Sequence, residues 1–237
     1  MNIITPNWPA PVNIRAFTTT RTSWGDNIGG IGTITPEEGD RLRTLLSLPS
    51  DPVWIQQTHS VTAVAAEISY DNQPADASYT GEPDQVCVVL TADCLPILIC
   101  DSQGTQVAAI HAGWRGLANG IVENTVHAML KNPATTSDLM AWMGPAIGPE
   151  KFEVGADVYH AFTDNDPDCK PCFTPGAPGK WLANLFKLAA RRLNKLGITS
   201  VFGGEYCTHT QQDLFYSYRR DGSSTGRMAS LIWIDAP

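Results

Sequence analysis

Three short apolar runs follow one another with four residues between neighbours: QVCVVLT (85–91), PILICD (96–101) and QVAAIH (106–111). Each is rich in Val, Ile or Ala, is bounded by turn residues, and has the length of a buried strand rather than of a helix. A parallel crossover needs about a dozen residues or more, usually a helix. These connections are too short for βαβ units, so the strands must pair in antiparallel or mixed sheets. The SQG at 102–104 fits a tight turn between the last two.

LMAWMG (139–144), ITSVFGG (198–204), LFYSYR (214–219) and MASLIWI (228–234) read as further strands. PVWIQQTHSVTAVAAE (52–67) reads as extended chain broken around Gln57–Ser60. Helical periodicity marks 36–48, with Pro36 in its first turn and Thr35 as cap. It also marks 117–131, where Leu117, Ile121, Thr125 and Ala128/Met129 share a face. A third helix is expected over Trp181–Leu196, stopped by Gly197. Strands outnumber helices. The expected fold is α+β, with layered mixed sheets, helices packed outside, and one domain over 1–237.

Hydrophobic residues make up 43% of the 237 and charged residues 17%, enough apolar surface for a large core. The net charge of −8 repels phosphate backbones and disfavours a general nucleic-acid-binding role. A small anion remains acceptable, because a local pocket can oppose the global charge. The N-terminal stretch lacks the pattern of a signal peptide, and no apolar run approaches membrane-spanning length. Six scattered cysteines are then expected as reduced thiols in the cytoplasm, and a monomer is the default.

Chemistry concentrates at two strand ends. Of the five histidines, His127 and His160 fall in helical stretches and His209 in a polar turn, where a surface role is expected. His59 lies at the break in an extended run, and His111 ends a strand and opens a glycine-rich turn. Cys87 and Cys100 lie inside strands as inert thiols. The CKPC of Cys169 and Cys172, in the setting DNDPDCKPCFTPGAPG, reads as a surface loop with incidental metal affinity. Cys94, in the turn TADCLP, is as readily structural as functional on composition alone. One thiolate with two imidazoles would make the three protein ligands of a catalytic zinc, with a fourth position for water. Their spacing is no local zinc motif. In HAGWRG, Arg115 and the start of the next helix are suited to an anion. Asp93 would transfer a proton or brace its turn.

The same stretches resemble the YfiH-like family, described variously as laccase-domain proteins, polyphenol oxidases and purine nucleoside phosphorylases. The matching pieces are WIQQTH (54–59), ADAS (75–78), TADCLP (91–96), HAGWRG (111–116), GPAIG (144–148), FEVG (152–155), SYRRD (217–221) and TGRM (225–228). The resemblance implies His59, Cys94 and His111 as metal ligands; Cys94, His111 and Asp93 are the catalytic candidates read from the residues. Substrate contacts are expected from Arg115, Gln57, Arg21 and Asn27. It implies Zn2+, with copper as a substitute, and a fold related to the catalytic domain of a deamidating toxin. The implied reactions are phosphorolysis of adenosine, inosine, guanosine and methylthioadenosine, and deamination of adenosine. A role in correcting peptidoglycan precursors is attributed to some members. The segment TRTSWGDNIGGIGTITPEEGDRL (20–42) is shorter than the family's loop; it retains Arg21, and Asn27 stands for the loop asparagine.

Two other chemistries compete. A metal-free cysteine hydrolase would use Cys94 as nucleophile, with His111 or His59 as base. A copper-dependent polyphenol oxidase of the multicopper type would need many more than five isolated histidines, and a blue-copper site a methionine near Cys94 or His111.

Overall fold

The computed structural model describes residues 3–23, 34–66, 72–130, 136 and 138–237. In chain order the elements begin with β1 (Ile14–Thr18), α1 (Pro36–Leu46), β2 (Ile55–Gln56), β3 (Ala63–Ala65), β4 (Gln73–Pro74) and β5 (Ala77–Thr80). The three central runs form β6 (Cys87–Thr91), β7 (Leu95–Asp101) and β8 (Val107–Ala112), followed by α2 (Trp114–Asn119) and α3 (Ile121–Met129). Then come β9 (Leu139–Met143), β10 (Glu153–Val154), α4 (Ala156–Thr163), a 3-10 helix (Pro167–Cys172), β11 (Phe173–Pro175) and β12 (Trp181–Ala183). The chain closes with α5 (Leu185–Lys195), β13 (Ser200–Gly203), α6 (Tyr218–Asp221) and β14 (Met228–Ile234).

Two sheets carry the architecture. A six-stranded mixed sheet runs β13-β9-β7-β8-β5-β3, parallel at its two outer pairs and antiparallel between. A three-stranded antiparallel sheet runs β1-β14-β6. The period-two alternation of the strands sorts their side chains into layers. Leu95, Ile97 and Ile99 of β7, with Ala108 and Ile110 of β8, pack on α3, α4 and α5. Leu98, Cys100, Val107 and Ala109 face the other way and meet Cys87, Val89, Ile232 and Ile14 of the smaller sheet. Val88, Leu90, Leu231 and Trp233 leave that sheet on its far side and bury Leu42 of α1. The order is helices, large sheet, small sheet, helix, which is the layered α+β arrangement expected. No described helix is long and apolar enough to cross a membrane.

β6 and β7 belong to different sheets, so the chain turns a corner between Thr91 and Leu95. Asp93 takes φ 87 there, a left-handed backbone. α1 begins as anticipated: Thr35 accepts from the Glu38 N–H, and the Glu38 side chain accepts from the Thr35 N–H.

Four expectations need correction. The helix placed at 117–131 starts earlier, at Trp114, and breaks at Gly120, whose φ of 101 ends α2 before α3 begins. Residues 181–183 are strand rather than helix, because the Asn184 side chain caps α5 by accepting from the Lys187 N–H. LFYSYR (214–219) is not a strand. Phe215 and Tyr216 are both buried, and the Arg220 guanidinium takes up the Phe215 carbonyl that a strand partner would occupy, together with the carbonyls of Thr208 and His209. Ser217 then caps α6. CKPC is not a surface loop: Cys169 and Cys172 are buried in the 3-10 helix against α5, and burial pushes both thiols up, Cys169 to about 11.

Candidate metal centre

Three separate elements deliver His59, Cys94 and His111 to one point. His111 is on β8, on the same side as Val107 and Ala109, and borders a cavity near the strand end. Cys94 comes from the corner between the sheets, which ends at β7. His59 comes from the break after β2, where its φ of 60 turns the chain sharply. The ligand atoms of all three lie within 4.8 Å of one another. Cys94 Sγ is 3.7 Å from His59 Nε2. The two imidazoles meet edge to face with centroids 4.8 Å apart.

A tetrahedral zinc bound at its usual lengths to nitrogen and thiolate sulfur sets the two donors about 3.6 Å apart. The His59–Cys94 separation fits that span, and two imidazoles with one thiolate form a borderline-soft donor set suited to zinc or copper. The three residues therefore fit a divalent metal.

Electrostatics favours the deprotonated sulfur. Burial opposes ionisation of Cys94, but the charge of His111 and hydrogen bonds from both imidazoles outweigh it and lower the thiol. His111 moves the opposite way: burial disfavours its charged form, while the Cys94 sulfur and the Asp76 carboxylate raise it.

The trio lines a cavity of about 540 Å3, within the size range of small-molecule sites. Its walls carry Arg115, Arg219 and Arg227, together with Trp114, Phe152 and Tyr218. Arg227 is half-buried, and its Nη1 donates to the carbonyls of Thr225 and Gly226 at 2.7 and 3.0 Å. Burial lowers its pKa, partly offset by Cys94. Arg115 stacks over Trp114, 4.4 Å from the ring centroid, and Arg219 lies 5.6 Å from that of Phe152.

The remaining candidates separate. Asp93 borders the cavity, but its carboxylate accepts from Thr208 Oγ1 (2.6 Å), Ser217 Oγ (3.0 Å) and the Arg219 N–H (2.6 Å). Gln57 also borders it, with its side-chain amide paired to the backbone N–H and carbonyl of Leu90. Arg21 lines a different cavity, with Gln212 and Arg220, and lies 5.2 Å from the Tyr216 ring. Asn27 lies outside the described residues. The α2 helix starts at Trp114, so Arg115 is in its first turn. Asp76, Arg219 and Arg227 sit inside recognisable stretches of the sequence yet were not singled out there; only the fold shows what they face.

The fold and donor set define a layered α+β protein with a His-Cys-His centre at the end of an inter-sheet crevice. Over residues 33–235 the chain matches the family described as "Multi-copper polyphenol oxidoreductase laccase". It belongs to that family. A Haemophilus influenzae protein named "Purine nucleoside phosphorylase" is 45% identical over 99% of this chain and 100% of its own length. Escherichia coli K12 "Purine nucleoside phosphorylase YfiH" is 42% identical over 98% of each chain. Among solved structures, Neisseria meningitidis protein NMB0706 superposes with a TM-score of 0.90 at 42% identity, covering 100% of both chains. YlmD from Geobacillus stearothermophilus gives 0.85 at 25% identity, covering 96% of this chain and 94% of that one.

Proposed function

We propose that this protein is a zinc-dependent purine nucleoside phosphorylase that also deaminates adenosine, with His59, Cys94 and His111 as its metal ligands. The observation that carries the reading is the convergence of these three donors in one cavity rimmed by guanidinium and aromatic side chains. The names of its relatives support it.

A bound zinc ion supplies a Lewis acid and lowers the pKa of water to near neutrality. The side chains supply the rest. Arg227 is a half-buried cation with no salt bridge among the described residues, so it favours an anion such as phosphate. Arg115 and Arg219 add charge nearer to solvent. Trp114, Phe152 and Tyr218 offer flat apolar surfaces to the purine. In phosphorolysis a phosphate oxygen bonds to C1′ as the bond to the purine nitrogen breaks, and the phosphate proton ends on the departing base. In deamination water adds to C6 and ammonia leaves. Asp93 braces the Cys94 corner, because its carboxylate is already occupied by three donors. Adenosine, inosine, guanosine and methylthioadenosine are the substrates proposed. The protein acts as a cytoplasmic monomer folded as one domain.

The test is direct. Metal-replete protein incubated with adenosine and phosphate should yield adenine and ribose-1-phosphate, with inosine from deamination. Absence of all three products overturns the reading. The short Cys94–His59 separation also suits a second one, a metal-free cysteine hydrolase. Stoichiometric zinc in the purified protein defeats it, because the metal would occupy the thiolate.

A further inference from the structure

We infer that Asp76 is a positioning residue that fixes the imidazole of His111 and the backbone of His59 through a single carboxylate; this rests on the metal reading above. Asp76 precedes β5 and is fully buried. Its Oδ1 accepts from the backbone N–H of His59 at 3.0 Å and lies 2.7 Å from Nδ1 of His111. One oxygen thus stands between the two metal-binding histidines. Its Oδ2 accepts from the N–H groups of Thr58 (3.2 Å) and Ser60 (2.6 Å) and from the hydroxyls of Thr58 (3.4 Å) and Ser60 (2.7 Å). The Asp76 carbonyl also accepts from the His111 backbone N–H at 2.7 Å.

Two consequences follow from donor and acceptor roles alone. Backbone N–H groups can only donate, and they reach both oxygens, so both oxygens act as acceptors. His111 Nδ1 must then carry the proton, which leaves Nε2 with the free lone pair a metal needs. Three consecutive N–H groups, of Thr58, His59 and Ser60, converge on the same carboxylate. They hold the left-handed backbone of His59, which a non-glycine residue adopts only when its surroundings impose it. The carboxylate therefore sets the tautomer of one ligand and the backbone of the other.

Asp76→Asn separates this role from simple packing, since the amide is nearly isosteric but has one acceptor oxygen. If its NH2 faces His111, two donors oppose each other and the ring must shift its proton to Nε2. If the NH2 faces Ser60, the Thr58–Ser60 turn loses its acceptor. Metal-free wild type and Asp76→Asn, each first checked for a cooperative thermal transition, are titrated with zinc(II) against a chromophoric chelator. Imidazole 15N shifts of His111 are recorded on the same metal-free samples.

The expected result is a loss of zinc affinity of about 10–100-fold, with wild-type His111 protonated at Nδ1. A folded variant that binds zinc within about threefold of wild type, short of that range, overturns the inference. So does a wild-type His111 whose neutral ring carries its proton at Nε2 and not at Nδ1. Should the variant fail to fold, the wild-type tautomer decides. Should the wild type take up no zinc, the metal reading fails by itself and the tautomer still tests Asp76.

Discussion

Gly113→Ala tests the packing of the proposed metal centre with one methyl group. Gly113 caps α2 with φ −61 and ψ 156, a conformation alanine adopts without strain. Any effect must then come from the added atom or from the cap. A Cβ built there would lie 2.7 Å from His59 Cδ2, 3.2 Å from His59 Nε2 and 3.2 Å from Cys94 Sγ. Non-bonded carbons settle at about 3.5 Å or more, so the His59 ring must move by about 0.8 Å. Metal–ligand distances tolerate only about 0.2 Å. The displacement therefore exceeds what the site can absorb, and zinc affinity should fall at least ~10-fold, or about 1.4 kcal/mol. Overpacking should also lower the stability of the metal-free protein by ~1–3 kcal/mol, to which a poorer N-cap adds a fraction. Chelator competition measures the first quantity and urea unfolding of metal-free protein the second. An alanine variant with zinc affinity within about threefold of wild type, less than half of that 1.4 kcal/mol, would show that His59 is not packed against Gly113 as described.

Three further outcomes can be checked. Hydrogen bonds from Arg191, then Lys195, hold the Asp166 carboxyl well below the usual carboxylate range. A folded-state value below the unfolded one stabilises the protein above about pH 4, and the contribution is lost as pH falls through the folded value. Asp166→Asn should therefore be less stable than wild type at pH 7 by urea unfolding, with the gap narrowing below pH ~4; a gap constant to pH ~2 would contradict this. In thiol labelling of native metal-free protein, Cys94 should react before Cys100, whose thiol burial and Asp101 push up to about 12; mass spectrometry of early samples showing Cys100 modified first would refute it. Gly203→Ala should destabilise the chain by about 1–3 kcal/mol: φ is 76, and the new Cβ would collide with the Met143 carbonyl. An unchanged urea midpoint would refute that contact.

The strands around the site are legible because their signal is local. β6, β7 and β8 announce themselves through apolar runs and short connections, and β7 and β8 pair antiparallel as those connections demand. LFYSYR carries the same aromatic and β-favouring composition, yet forms a loop and a short helix. Its carbonyl partner is the Arg220 guanidinium, five residues from Phe215, which no strand pattern encodes. CKPC misleads for the complementary reason. Its proline-rich neighbours suggest exposure, but Phe162, Phe173 and Leu188 belong to the core that covers it.

The site divides along the same line. His59, Cys94 and His111 stand out because few side-chain types bind soft metals, so identity alone limits the candidates. An aspartate has no such mark. Asp76 is informative only through partners 16 to 35 residues away, which the sheet pairing of β5 with β8 brings together. Arg21 and Arg227 show the converse: both lie in recognisable stretches, but of the two only Arg227 faces the cavity that His59, Cys94 and His111 line, while Arg21 faces another one. The fold converts residue identity into role here by one physical operation. The end of β8, the corner between the sheets and the β2–β3 break border one cavity, and the side chains they present there share a single small volume. A centre built this way has no local motif, because its donors are gathered from three separate segments by the fold rather than by spacing along one element.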